Sequence, residues 1–194
     1  MKHLKEEQTF VLIKPDAVQK GLIGEIIRRF EQRDLKIVAL EMFQPTLKQI
    51  DEHYPKDAAW ITRLGEKSLS TYKKYNIDPI PLVGSDDPAK IGPLVREWVI
   101  DYMASAPLVG MIVRGLHAVD IVRKISGDTL PFRAEIGTIR GDFSIDSPAL
   151  ANAEKRAVMN LIHASETSQE AEHEIKHWFG HVKSLEYKRF GVDA

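Results

Sequence analysis

The sequence predicts an α+β fold, a ferredoxin-like antiparallel sheet with helices packed on one face and an inserted segment. Three observations predict it. Four short apolar runs with strand character alternate with amphipathic helical stripes in the order β-α-β, then α-β-α-β, then α, and a β-α-β-β-α-β core fits inside that order. The chain has 194 residues, which suits one domain with room for insertions better than two full domains. With 43% hydrophobic and 28% charged residues, it has the composition of a chain that buries an ordinary core. A doubly wound parallel sheet is the alternative arrangement.

Residues 9–13 form a short, partly β-branched apolar run closed by Lys14 and Pro15, so a buried strand ends by delivering a lysine. Ile23, Ile26, Ile27 and Phe30 fall at i, i+3, i+4 and i+7, one stripe of an amphipathic helix with Glu25, Arg28, Arg29 and Gln32 on its other side. Residues 35–43 read as the second strand. Thr46 and Gln49 make a capping box for a short helix, which ends near Tyr54 because Pro55 disfavours helical backbone before it. From 55 to 88 the periodicity weakens. A helical piece at 60–69 precedes a stretch rich in Lys, Asp, Pro and Gly, which reads as an inserted excursion. A helix resumes over 91–103, a third buried strand covers 107–113, and a helix over 119–125 stops at Gly127. Residues 130–147 read as a long polar loop and 158–162 as the fourth strand. Thr167 with Glu170 caps the last helix, which runs to about Gly180.

Charge and cysteine content exclude several functions. Twenty-seven basic and twenty-eight acidic residues leave a net charge of -1, too balanced for a protein that binds nucleic acid through non-specific phosphate contacts. The absence of Cys removes disulfides, thiolate metal sites and cysteine nucleophiles. The charged start runs directly into a strand, and no apolar run approaches the ~18 residues of a membrane span. A soluble, cytoplasmic protein with no membrane partner and no specific nucleic acid is expected.

Neither G-x-x-x-x-G-K-[ST] nor G-x-G-x-x-G occurs, so any nucleotide site must be built from side chains. His163 stands at the end of an apolar strand and is followed by the small residues Ala164 and Ser165, a good place for a nucleophile or base. On position alone a core histidine is the commoner reading. Glu174 alters the balance. Ala171, Glu174, Ile175 and Trp178 share one helical stripe, so this carboxylate lies on the face that should be buried and needs a partner. Through one ring nitrogen Glu174 can orient His163 and leave the other nitrogen free.

The same helix carries a decoy. His173-Glu174-Ile175-Lys176-His177 matches the H-E-x-x-H zinc motif. Helical angles put His173, His177 and His181 mostly on the solvated side, and Lys183 holds the place of the third histidine of the extended motif. No metal ligand is therefore assigned in the protein.

Several segments together resemble the nucleoside diphosphate kinase family: residues 9–18 (TFVLIKPDAV), 21–27 (GLIGEII), His53-Tyr54, 137–143 (GTIRGDF) and 160–165 (NLIHAS), in family order. The resemblance covers nearly the whole chain outside two insertions, at about 56–90 and 146–156. It implies a ping-pong transfer of the γ-phosphoryl group from a nucleoside triphosphate, typically ATP, to a nucleoside diphosphate through a phosphohistidine. By that resemblance His163 is the nucleophile, attacking through Nδ1, with Glu174 bonded to the other ring nitrogen and Ser165 supporting the pair. Lys14 and Asn160 contact the ribose hydroxyls and the phosphate end. Tyr54 lies beside His163, and Arg123, Thr129 and Arg140 hold the phosphates. The resemblance further implies Mg2+ bridging phosphate oxygens as the cofactor, and nucleoside tri- and diphosphates as the partners. A homo-oligomer is implied, a hexamer before a tetramer or dimer.

The chain departs from the family pattern in four places. His-Gly-Ser-Asp reads His163-Ala164-Ser165-Glu166. The long segment between Tyr54 and Val95 stands where the family has a short link and a base-stacking phenylalanine; counting back from Pro107, that position falls on Val95. Leu94, Trp98 or an aromatic from the insert are the other candidates. The 146–156 segment delays the strand leading to His163, and a tail over 183–194 follows the last helix. Base selectivity is expected to be broad, because stacking tolerates any base and no base-reading Asn or Asp pair is evident.

Overall fold

The computed structural model describes residues 6–189; the extreme ends of the charged start and of the tail lie outside them. Strand β1 (Glu7–Ile13) leads into helices α1 (Pro15–Gln19) and α2 (Ile23–Glu31), then β2 (Lys36–Phe43) and α3 (Leu47–His53). Helices α4 (Ala58–Lys74), α5 (Ile80–Val83) and α6 (Pro88–Ala104) come before β3 (Leu108–Gly115) and α7 (Ala118–Ser126). A 3-10 turn (Pro131–Arg133), α8 (Ile139–Phe143) and α9 (Pro148–Ala153) precede β4 (Ile162–Ala164) and α10 (Ser168–Phe179). The sheet order is β2-β3-β1-β4, and every pair is antiparallel. This is the ferredoxin-like arrangement, and the parallel alternative is out.

The crossover helices α2 and α7 share one face of the sheet, where Val11 and Ile13 meet Ile26, Phe30 and Val122. The opposite face is not bare. Phe10 and Leu12 pack there with Ile50 of α3, Met103 of α6, and Trp178 and Phe179 of α10. The signal was present in β1: Phe10 to Ile13 are all fully buried, and an unbroken apolar run marks a strand covered on both faces.

Local expectations hold where local chemistry sets them. The Thr46–Gln49 capping box forms both of its bonds. Gly127 ends α7 at φ 82, in the region that favours glycine. At α10 Thr167 accepts from Glu170 N, but the Glu170 carboxylate turns to Glu166 N instead of closing the box.

Three segments differ from the sequence reading. The weak stretch after Pro55 contains a 17-residue helix, α4, which packs along α6. A Cβ at Gly65 would collide with the Pro88 carbonyl and one at Gly92 with the Ile61 carbonyl, so the two helices touch through their backbones. The expected loop over 130–147 contains the 3-10 turn and α8. The fourth strand begins at Ile162, not at 158. Leu161 has φ 68 and Ile162 N donates to Asn160 O at 2.7 Å, a tight turn that no strand can include.

Candidate active site

The turn before β4 is held from three sides. Asp16, buried at the start of α1, accepts from Leu161 N at 3.1 Å and from the Tyr102 hydroxyl at 2.5 Å. Lys14 N donates to Leu161 O at 2.9 Å. Arg140 of α8 donates to Asn160 O (3.0 Å), Ile162 O (2.6 Å) and Gly127 O (2.7 Å). A leucine in left-handed backbone costs on the order of 1–2 kcal/mol, and these bonds keep it there. The consequence is positional: Asn160 and His163, three residues apart, are both delivered to one cleft.

His163 pairs with Leu12 across β1 and β4. Its Nε2 lies 2.7 Å from Glu174 Oε1, an acceptor that favours the tautomer with the proton on Nε2, and the Ser165 hydroxyl donates to Glu174 Oε2 at 2.6 Å. Glu174 is 3% exposed, so both oxygens of a buried carboxylate are satisfied, as burial demands. A proton held on Nε2 leaves the Nδ1 lone pair free, and a free imidazole lone pair can act as a nucleophile or a base.

Around this pair stand the other expected residues. Lys14 Nζ donates to Asn160 Oδ1 at 2.7 Å, and Asn160 Nδ2 donates to the Thr129 carbonyl at 3.0 Å. Burial and, secondarily, Arg140 lower the Lys14 pKa to about 7 against the pull of Asp16. Burial also lowers Arg140 to about 10, which leaves it a cation at neutral pH. Arg123 reaches Glu166 at 3.3 Å from a half-exposed position. Burial and the Glu174 charge push the Tyr54 hydroxyl pKa up, so it stays protonated. Lys14, Tyr54, Arg123, Thr129, Arg140, Asn160, His163 and Glu174 all line one cleft of about 560 Å³. A second cleft of similar volume, about 560 Å³, is lined mainly by Glu6, Glu7, Glu172 and Glu186 and lacks His163.

Val95 does not line the cleft, contrary to the count from Pro107. It is on α6, and the helix packed along α6 supplies the wall instead: Trp60, Arg63 and Lys67 of α4 are lining residues. The Trp60 ring lies 6.2 Å from Tyr54 at an interplanar angle of 29°. The sequence reading gave His53 no role beyond the His53-Tyr54 motif, yet its ring is 4.9 Å from His163 at 88° and its Nδ1 accepts from Trp178 Nε1 at 3.2 Å. Burial, then His163 and Lys14, lower its pKa to about 2, so it is neutral.

The zinc decoy does not assemble. His173 is exposed, while His177 turns further inward than the helical angles suggested and bonds Gln49 O at 2.8 Å. Among the described residues, the one cluster with metal-ligand spacing is His53, His163 and Glu174. In it, Glu174 already serves His163 and Ser165.

A nucleophilic imidazole, a buried carboxylate behind it and a cation-lined cleft on a ferredoxin-like sheet define a nucleotide phosphotransferase. A sequence model of the family described as nucleoside diphosphate kinase matches residues 7–60 and 95–184. The nucleoside diphosphate kinase of Pyrobaculum aerophilum is 48% identical over 180 residues, covering 93% of this chain and 98% of that protein. That of Pyrococcus furiosus is 39% identical over 182 residues, covering 93% and 88%. The crystal structure of an NDP kinase from Pyrobaculum aerophilum superposes with a TM-score of 0.88 at 46% identity, covering 94% of this chain and 100% of that one. A Borrelia burgdorferi nucleoside-diphosphate kinase, solved as a transition-state mimic with bound vanadate and ADP, superposes with a TM-score of 0.75 at 30% identity, covering 95% and 94%. The chain belongs to the nucleoside diphosphate kinase family, and its activity is that of a phosphotransferase between nucleoside tri- and diphosphates.

Proposed function

We propose that His163 carries the phosphoryl group. Nδ1 attacks the γ-phosphorus, the bond from phosphorus to the β,γ-bridging oxygen breaks, and the nucleoside diphosphate leaves with the electron pair. A second nucleoside diphosphate then attacks the phosphohistidine through a β-phosphate oxygen, the P–N bond breaks, and the imidazole is restored. The observation that carries this reading is the His163–Glu174–Ser165 chain of bonds of 2.7 and 2.6 Å. Glu174 offsets the positive charge the ring gains on phosphorylation, and Ser165 keeps that carboxylate aimed; both are positioning residues.

The remaining roles follow from where the groups stand. Arg140 has five N–H donors and spends three on backbone carbonyls, which leaves two for phosphate oxygens. Arg123, the Thr129 hydroxyl and the Tyr54 hydroxyl complete the phosphate contacts, and Lys14 with Asn160 takes the ribose and the phosphate end. Trp60, not Val95, is the platform for the base, and a stacking contact keeps selectivity broad. Mg2+ would come with the nucleotide substrate and would offset the charge of its phosphates, with no side chain of the cleft needed to hold it. The His53–His163–Glu174 cluster, two nitrogens and an already bonded carboxylate, is a poor match for a hard cation that wants oxygens. We place the enzyme in the cytoplasm as a homo-oligomer.

The test is labelling with γ-³²P-ATP. The protein should acquire acid-labile, base-stable phosphate, and His163→Ala should lose both label and turnover, the latter by more than about a thousandfold. Label that survives in this variant sinks the assignment.

A further inference from the structure

The family match stops at residue 60 and resumes at 95, so α4 beyond Trp60 lies outside it. Yet this helix lines the catalytic cleft. Trp60, Arg63 and Lys67 stand at i, i+3 and i+7, one stripe of the helix, while the buried Gly65, Ser68 and Tyr72 form the stripe on the other side. The helix is anchored at both ends. Trp60 stacks on Tyr54, and farther along Asn152 of α9 donates to Ser68 O at 3.5 Å and Lys74 lies 5.7 Å over the Phe132 ring.

The charge balance of the cleft depends on this wall. Apart from α4, the charged lining side chains are three cations, Lys14, Arg123 and Arg140, and three carboxylates, Glu166, Glu170 and Glu174. Those six cancel. The cations are also partly engaged by the protein: Lys14 by Asn160, with its pKa near 7, Arg123 by Glu166, and Arg140 by three carbonyls that leave it two donors. Arg63 and Lys67 are exposed and have no side-chain hydrogen bond or ion pair among the described residues. They make the cleft net positive, the sign that a nucleotide polyphosphate requires.

We propose that Arg63 and Lys67 are substrate-binding residues of this enzyme, an additional contact for the nucleotide's phosphate chain supplied by the inserted helix. The proposal rests on the nucleotide-kinase reading of the cleft. It predicts that the α4 cations act on binding and association, not on the chemical step, because among the described residues neither bonds the His163–Glu174 pair and both are exposed to solvent.

The experiment uses the Arg63→Gln plus Lys67→Gln double variant of the full chain. Mg·ADP binding, followed by calorimetry, should weaken by about tenfold or more at low salt, and the loss should shrink as ionic strength rises. In turnover, KM for ATP should rise while kcat stays near wild type. Inorganic triphosphate should weaken as an inhibitor by a similar factor, and Arg63→Lys plus Lys67→Arg should restore most of the affinity. Unchanged Mg·ADP binding overturns the proposal. So does weakened ADP binding with unchanged triphosphate inhibition, which would move the contact to the base or ribose. The binding arm needs no phosphoryl transfer, so it stands apart from the labelling test: absent phosphohistidine defeats the kinase chemistry, and unchanged binding defeats the role of α4.

Discussion

The β4–α10 corner and the α4 wall face the same cleft and are built on opposite principles. At the corner, Glu174 is 3% exposed and Ser165 fully buried, and both carboxylate oxygens of Glu174 are engaged. On the wall, Arg63 and Lys67 are exposed and unpaired among the described residues. Groups that must hold one geometry through a chemical step are bonded to the protein, because reorganising them during the reaction would add to the barrier. Groups that only have to meet a ligand are left to water, which a phosphate can displace. A corner that tolerated disruption, or a wall that controlled chemistry, would break this contrast.

The largest effect should come from the corner. Glu174→Ala removes the acceptor of the His163 Nε2–H and leaves the Ser165 hydroxyl only its 3.4 Å contact with the Phe10 carbonyl. We expect kcat to fall by about 10–100-fold, with Mg·ADP affinity near wild type. A larger loss in binding than in kcat would show that Glu174 shapes the cleft and does not orient the ring. Glu174→Gln, which still offers an acceptor oxygen, should recover part of the rate.

Gly92→Ala tests whether the wall is held as rigidly as the corner. The added methyl would strike the Ile61 carbonyl, and overpacking of this kind costs about 1–3 kcal/mol. The thermal midpoint should drop, and Mg·ADP affinity should fall with it because Trp60 and Arg63 flank Ile61 on α4. A lowered midpoint with unaltered nucleotide affinity would mean that the position of α4 does not matter to binding.

The smallest effect is a proton. Lys14 has a folded pKa of about 7 against an ordinary 10.5, lowered first by burial and then by Arg140. The folded empty protein therefore binds fewer protons than the unfolded chain between those values, so this residue's cost to stability is full below pH 7 and is relieved as pH rises toward 10.5. A polyphosphate beside Lys14 favours its charged form. Mg·ADP binding near pH 8 should then take up part of a proton, measured as a dependence of the calorimetric heat on buffer ionisation enthalpy. Lys14→Met should abolish that uptake; its persistence would assign the proton to another group.

Much of this protein was legible from short-range rules. The Thr46–Gln49 box, the stop at Gly127 and the strand ending at Lys14 depend on a few adjacent residues, whose backbone preferences do not wait for the rest of the chain. The His163–Glu174 pair was found because helical periodicity placed a carboxylate on an apolar stripe, and a buried carboxylate requires a partner close by; the two are eleven positions apart. The same angles misplaced His177, since one hydrogen bond to Gln49 outweighs a solvated side.

What the sequence alone determined, then, is the order of the four strands and of the helices between them that carry a clear apolar stripe, and the pairing of His163 with Glu174, each set within about a dozen residues. Tertiary structure decided the rest. Lys14 meets Asn160 across 146 positions, Asp16 holds the Leu161 turn across 145, and α4 takes the wall that Val95 was expected to line. Each of these depends on which backbones can approach: Gly65 and Gly92 bring α4 against α6, and three carbonyls converge on one arginine. Residue type states what a side chain can do, but a contact over a hundred positions away exists only once the intervening chain has packed.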